Sequence, residues 1–482
     1  MKYFYIFFFN YFIFNKYKMD SVDQETRLPN LMAVGEIPTD LSMDMDTEVL
    51  DPVVNNQNGI CRFVLSNKGF LHSFSKITLC VDQAGRNTFP VGVGVHSLIQ
   101  RCALRIGTTV VAETDDFNHW MGYKSMFIDN DINYERETYT TSRVMAHDLV
   151  YINDTNSGVT ERDINASGII LKSYNEYFTS ANGNNGNTTP VKEILTRNAP
   201  VFSVALADLF PFLRFNQLPL FMIDQQVSIE LHFEPTASKK RGVAVKTGGT
   251  GLPFNMDLTQ TKFIADYIYY DNSMMETWAS QNRVLNWTYN DYRLNKRSFT
   301  DAQLQTDLVF DVGGAGRICN KLITALELTA NDPDLEMVNA FNSTAPDLTG
   351  NNNQLAITNL TYNDHRLYPI DRSNPALHFH DVIQAEQNVP QVCRQEYNKQ
   401  GGAIDDTYTY NAYTQSSSLE GLNGKFQYLC YRLNRNERVN SRGIQISLKY
   451  TDALPTNYVH RTWLELVKTA TLENGKFSCD YE

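Results

Sequence analysis

His378-Phe379-His380 is the pair of side chains in this sequence best spaced for chemistry. Read as a strand, alternation puts both imidazoles on one face, close enough to share a metal ion. A zinc site takes three or four ligands, and the carboxylates nearby in sequence are Asp371 and Asp381. No third ligand is identifiable, so the pair reads as surface or interface histidines. Gly313-Gly314-Ala315-Gly316-Arg317 is glycine-rich. A phosphate-binding loop, however, ends in Gly-Lys-Ser/Thr and opens a helix. Neither follows here, so this run reads as a turn between strands. Asp129-Asn130-Asp131-Ile132-Asn133 opens like a calcium loop, but Tyr134 stands where that loop needs Gly, and no Glu closes it. It reads as a solvated turn. Asp405 and Asp406 are adjacent, so in a strand they point to opposite faces and cannot act as an acid–base pair. No Gly-x-Ser-x-Gly or His-Glu-x-x-His occurs. No catalytic, cofactor-binding or metal-ligating residue is therefore assigned, and the chain is not read as an enzyme.

A chain that carries no reaction must be read through the elements it builds. Its 482 residues exceed one comfortable core and favour two domains of about 200 residues each. The 27 Phe and 26 Tyr suit strands, and Asn, Gly, Thr and Asp clusters between apolar runs supply turn chemistry. Net charge is −12, and the one short basic run, Lys239-Lys240-Arg241, reads as a solvated loop. Coating a genome needs basic patches, so direct nucleic-acid binding is not expected. Seven cysteines without a CxxC fit neither a disulfide framework nor a zinc ribbon and point to folding in a reducing compartment. The apolar run Tyr3–Phe14 is shorter than the ~20 residues a spanning helix needs. Residues 1–18 read as an extension upstream of a start at Met19, with a membrane-surface anchor as the other reading.

Residues 20–50 lack a clean period and read as an extended arm. Strands follow. Ile77, Leu79 and Val81 alternate with Thr78 and Cys80, and Val227, Ile229, Leu231 and Phe233 with Ser228, Glu230 and His232. In the second half Leu308, Phe310 and Val312 alternate, as do Ile444, Ile446, Leu448 and Tyr450. Trp463–Val467 belongs to a closing hairpin around Glu473-Asn474-Gly475. Two short helices are expected. One runs from Asp116 with Phe117, Trp120, Met121 and Phe127 inward. The other opens on a capping box at Ser273–Glu276 and carries Met274, Trp278 and Leu285 as a stripe. Long loops are expected at 174–200, 236–258, 331–376 and 394–424. These boundaries give an arm at 1–50, a first β unit at 51–272, a connecting helix and linker at 273–291, and a second β unit at 292–482. No sequence repetition between the two units is visible.

Ala103–Glu113 followed by Asp115–Met121 resembles a pattern of the major capsid proteins of nucleocytoplasmic large DNA viruses: a strand ending in Ile-Gly, a hairpin, then a Trp-bearing helix. Asp266-Tyr267-Ile268-Tyr269-Tyr270-Asp271 resembles the strand that ends that family's first jelly roll, and Leu209–Ile223 is similar to a loop and strand of virophage and polinton-like capsid proteins. After the Asp-Tyr-Ile-Tyr strand the family's charged run is replaced by Asn272-Ser273-Met274-Met275. The resemblance implies an all-β fold of two tandem eight-stranded antiparallel jelly rolls with a few short helices and long loops. It also implies a major capsid protein of a eukaryotic double-stranded DNA virus. Homotrimers with a pseudo-hexagonal outline would tile an icosahedral shell, with penton and minor capsid proteins as further partners. The location implied is the virion, with assembly in host cytoplasm or nucleus. The loops 174–200, 331–376 and 394–424 are expected to be ordered mainly by the trimer. The alternative is a trimeric viral β-sandwich binding protein, a lectin or receptor-binding spike. Six Asn-x-Ser/Thr sequons, at Asn153, Asn165, Asn187, Asn286, Asn342 and Asn359, are expected to stay bare.

Overall fold

The computed structural model describes residues 43–80, 86–88, 93–124, 140–141, 201–214, 217–236, 238, 243–245, 255–299, 307–328, 355–367, 375–387, 429–433, 437–450 and 458–482. The first part of the chain forms β1 (Met43–Leu50), β2 (Ile60–Leu65), β3 (Phe70–Leu71), β4 (Lys76–Cys80), β5 (Ile99–Ile106) and β6 (Thr109–Asp115). Helix α1 (Phe117–Lys124) comes next, then β7 (Val201–Ala205), β8 (Val227–Phe233) and β9 (Lys262–Tyr270). Helix α2 (Asn272–Gln281) leads into β10 (Val284–Phe299), β11 (Asp307–Gly313), β12 (Cys319–Leu328) and β13 (Leu355–Tyr362). Helix α3 (Pro375–Glu386) precedes β14 (Leu429–Arg432), β15 (Ile444–Tyr450), β16 (Tyr458–Glu473) and β17 (Lys476–Tyr481).

Period-two alternation builds the interior. Ile77, Leu79, Val227, Ile229, Leu231, Phe310, Val312, Ile444 and Ile446 are all buried. In β8 the opposite face is only partly wet, because Ser228 is buried as well. The segment Ala103–Glu113 is the β5–β6 hairpin, turning at Gly107 with φ +59°. The closing hairpin is β16–β17, with Glu473 paired to Lys476 and both Asn474 (φ +47°) and Gly475 (φ +78°) in the left-handed region a tight turn demands. The glycine-rich run after β11 is a turn between strands.

The pairings repeat. In the first half, first strand β1 pairs with last strand β9, β9 with β4, and β4 with β7. In the second half, β10 pairs with β16, β16 with β12, and β12 with β14. The facing sheets correspond too. β2 pairs with β8, β8 with β5, and β5 with β6. Likewise β11 pairs with β15, β15 with β13, and β13 with the short strand His365–Arg366. All of these pairings are antiparallel. Each half thus has two sheets in the order 1-9-4-7 and 2-8-5-6 of its first-half numbering. This is the eight-stranded jelly roll, present twice. A helix follows the fifth main strand in both halves: α1 after β6, and α3 after His365–Arg366. Each half encloses an apolar core between its sheets, with Phe63, Leu104, Ile229 and Phe263 in the first and Leu322, Leu360, Ile446 and Leu464 in the second.

Several expectations are corrected. α2 starts at Asn272, its N-cap is Asp271 with no side-chain cap bond, and Ser273 sits inside the helix, so the capping box is not used. Leu285 lies in β10, not in a helical stripe, and β10 already begins at Val284 inside the stretch read as linker. His378 and His380 stand in α3, not in a strand. Two positions apart on a helix fall on nearly opposite sides, so the shared face is lost. The stretch 331–376 is not one loop, since β13 and His365–Arg366 lie within it and β13 is an inner strand. Similarly, 236–258 contains Val243–Val245, which pairs with Arg86–Thr88. The last part of the arm is β1, a full partner of β9. Residues 1–42, the loops 174–200 and 394–424, Phe127, Asp129–Asn133, Lys239–Arg241, Cys393 and Asp405–Asp406 lie outside the described residues.

Candidate functional site

The outer face of the β10–β16–β12–β14 sheet packs on β6 and α1 of the first jelly roll, and among the described residues this seam holds most of the buried ion pairs. Helix α1 forms because Phe117, Trp120 and Met121 recur at helical spacing and all are buried. It carries Trp120 into the seam, 4.1 Å between centroids from Tyr292 of β10 and 6.1 Å from Trp463 of β16. Trp463 Nε1 donates to the Asp115 carbonyl at 3.2 Å, and the Tyr289 hydroxyl donates to the Val111 carbonyl at 2.5 Å. Both bonds satisfy polar atoms that aromatic burial would otherwise orphan.

Three charged groups follow one another along the seam. Asp116, the residue after β6, lies in the left-handed region (φ +49°), a conformation Asp tolerates better than most residues. Its carboxylate accepts from Arg461 Nε at 2.7 Å and from Lys296 Nζ at 2.5 Å. Burial pushes the Asp116 carboxyl up, but Arg461, His119 and Lys296 together outweigh it and hold it at about 2. In the second group Lys321 Nζ lies 2.7 Å from Glu386 of α3 and 3.3 Å from Glu465 of β16. Tyr292 and Asn290 donate to Glu465 at 3.0 and 2.9 Å, and Tyr123 of α1 donates to Glu386. Burial opposes the Lys321 charge, yet Glu465 and Glu386 hold its pKa above the ordinary lysine value. Burial likewise raises Glu386, and Lys124 and Lys321 bring it below the ordinary carboxylate range. In the third group Lys468 of β16 reaches across to the Val110 and Val111 carbonyls, both at 2.8 Å, and to Asp291 at 3.2 Å. Tyr481 completes Asp291 at 2.6 Å.

The C-terminal hairpin tip is clasped by the first jelly roll. Asp224 N–H donates to the Gly475 carbonyl at 2.9 Å, and Phe477 N–H to Gln225 Oε1 at 2.8 Å. A Cβ on Gly475 would lie 2.1 Å from Asp224 Oδ2, so that position also needs glycine for space. A polar cleft of about 460 Å³ opens where the jelly rolls meet, lined by Arg101, Asp115, Asp116, His232 and Lys296. Its charges are matched internally, with Arg101 Nε 3.1 Å from Asp115 and Lys296 on Asp116.

These side chains hold two bodies together; their carboxylates are engaged by cations and hydroxyls, which pairs the buried charges across the joint. None of them was singled out from sequence as a site. In β16 Arg461 and Glu465 fall out of phase with Leu464 and Leu466, which is also how a solvated strand face reads. Among the described residues no group of three or more His, Cys, Asp or Glu is placed to hold a metal ion. His380 is exposed and Asp381 is buried. Asn359 is only 4% exposed in the inner strand β13, so its sequon cannot take a glycan in the folded chain.

No sequence-family profile matches the chain, and no curated protein matches it. Its fold is similar to the crystal structure of PBCV-1 VP54 fitted into a reconstruction of the virophage Sputnik. The TM-score is 0.51 at 12% identity, covering 92% of this chain and 98% of that one. It is equally similar to a quasi-atomic structure of the PBCV-1 virus capsid, with TM-score 0.50, 12% identity and the same 92% and 98% coverage. Together with the duplicated strand order, these likenesses establish the double jelly-roll fold.

Proposed function

We propose that this chain is a structural building block, a major capsid protein whose copies assemble into an icosahedral virus shell. The observation that carries the reading is the duplicated jelly roll fused by a buried, ion-paired seam. Duplication supplies two similar bodies per chain, so three chains present six bodies to a sixfold lattice site. The seam makes each pair rigid enough to tile. The likeness of the fold to a virus capsid supports the same reading, as do the acidic net charge and the absence of a recognisable catalytic motif in the sequence.

The finer reading is a homotrimer of pseudo-hexagonal outline that packs against neighbouring capsomers, with penton and minor capsid proteins as partners. The two building units are those read from sequence at 51–272 and 292–482, with β1 (Met43–Leu50) added to the first and the start of β10 at Val284 to the second, joined by α2. The working location is the shell of the virion, with assembly in host cytoplasm or nucleus. No direct contact with nucleic acid is needed. Negative-stain electron microscopy of the purified full chain tests this. Hexagonal-looking trimers, sheets of them or shells are expected, and particles that remain monomeric at high concentration would refute it.

A further inference from the structure

Five Asn-Gly pairs occur in the chain, and two of them, Asn58-Gly59 and Asn474-Gly475, lie among the described residues. Asparagine before glycine is the pair most prone to lose its side-chain amide spontaneously, because no Cβ shields the glycine nitrogen that attacks it. Both asparagines are exposed, so access of water does not separate them. Their reacting groups are held differently. At the first pair the nucleophile is engaged, since Gly59 N–H donates to the Asn56 carbonyl at 3.0 Å. The electrophile is engaged too, since Asn58 Oδ1 accepts from Thr236 N–H at 2.8 Å. At the second pair neither is. Asn474 is tied through its backbone N–H, 3.4 Å from the Arg283 carbonyl, and Gly475 through its carbonyl, 2.9 Å from Asp224 N–H. Among the described residues Gly475 N–H donates to no acceptor and the Asn474 side chain makes no hydrogen bond.

We infer that Asn474 is a site of spontaneous deamidation, paced by the clasp that holds the C-terminal hairpin on the first jelly roll. Gly475 N gives up its proton to solvent and bonds Asn474 Cγ. The Cγ–Nδ2 bond breaks, and the side-chain nitrogen leaves as ammonia with a proton taken back from solvent. Water then opens the cyclic imide. Opening at Cγ gives aspartate. Opening at the Asn474 backbone carbonyl gives isoaspartate, whose main chain runs through Cβ. The attack needs Gly475 N to swing toward Cγ, out of a turn in which both residues hold positive φ. Its rate therefore follows local opening of the hairpin tip. Two bonds limit that opening, Asp224 N–H to the Gly475 carbonyl and Phe477 N–H to Gln225 Oε1.

The product does not fit the clasp. Aspartate adds a negative charge next to Glu473 and near the Asp224 carboxylate, which lies against Gly475. Isoaspartate adds a backbone atom to a two-residue turn whose twist the flanking strands dictate. A tip that reacts while open is thereby kept from closing as before. The chain accumulates a covalent record of elapsed time at the end of the seam, whether or not its copies assemble.

The test holds the full chain at mildly alkaline pH and samples it by tryptic mass mapping. The peptide 469–476 reports Asn474, and the peptide 28–62 reports Asn58. Asn474 is expected to convert about tenfold or more faster than Asn58, whose two reacting groups must each break a hydrogen bond first. Gln225→Ala removes the acceptor of Phe477 N–H and should speed conversion at Asn474 about fivefold, with Asn58 unchanged. In concentrated urea the two sites should convert alike. Equal rates at the two sites of the folded chain overturn the assignment, as does an Asn474 that stays intact there while the unfolded chain converts. A difference that survives in urea belongs to the sequence and overturns it as well. An unaltered rate in folded Gln225→Ala overturns the pacing by the clasp. Should that variant fail to fold, the wild type decides: slower conversion of Asn474 when folded than in urea supports the pacing, and equal conversion overturns it.

Discussion

The interior of each jelly roll is packed chiefly by apolar contact, whereas the seam between them sets buried ion pairs among its aromatic and apolar contacts. Inside the first jelly roll, Phe63, Leu104, Ile229 and Phe263 meet as apolar neighbours, and no direction is specified by their chemistry. Across the seam, Asp116, Lys321 and Lys468 each find named partners at hydrogen-bond distance. Hydrophobic contact tolerates small slides. A buried charge does not, because any slide strands it in low dielectric. We take the contrast as a hypothesis about specificity: the cores make the jelly rolls stable, and the seam fixes the angle between them.

The largest effect should come from breaking the seam without removing volume. Asp116→Asn leaves Arg461 and Lys296 short of their counter-charge and should cost about 3–5 kcal/mol. That equals Phe63→Ala in the core, where a whole ring is deleted. Denaturant unfolding of both variants checks this, and an Asp116→Asn loss under about 1 kcal/mol would end the contrast.

Acid should separate the two regions next. His460 is buried between Thr324, Thr462 and Phe310, and burial, aided by Arg297, lowers its pKa from 6.5 to about 3. The folded state therefore binds this proton less readily than the unfolded state. The stability it permits is complete above 6.5 and drains away as pH falls toward 3. Asp116, lowered from 3.8 to about 2, holds its contribution until pH falls below 3.8. Between these values the second jelly roll should weaken by about 2–3 kcal/mol at pH 4.5 while the Asp116 pairing persists. Hydrogen exchange should show β12 and β16 opening around His460 first, and His460→Gln should flatten the dependence. Earlier opening at α1 would contradict it.

The smallest expected effect sharpens the contrast at the hairpin clasp. Gly475→Ala forces a left-handed alanine and crowds Asp224, at a cost of about 1–2 kcal/mol. Adding Asp224→Ala should recover the crowding part only, as read from melting temperatures of the single and double variants.

Much of the fold could be read ahead of the structure. The alternation in 227–233 and 444–450, the Asn474-Gly475 turn and the Trp120 helix are local signals, and each element formed where its pattern stood. The duplication is not local. β1 meets β9 through contacts such as Thr47 to Asp266, 219 positions apart, and no short window holds both. α3 is hidden in the sequence because two histidines two positions apart mimic a strand face, whereas Pro375 at the first helical position starts a helix. The seam stayed hidden for a related reason. Asp116 and Arg461 are 345 positions apart, and each alone looks like a solvated charge.

The aromatic contact in the seam has one practical result. The chain has four tryptophans, and Trp120 and Trp463 face each other across the joint between the bodies. Prising the bodies apart would wet both indoles and shift their emission to the red. The protein thus carries a built-in optical gauge of its own seam, readable without label or ligand.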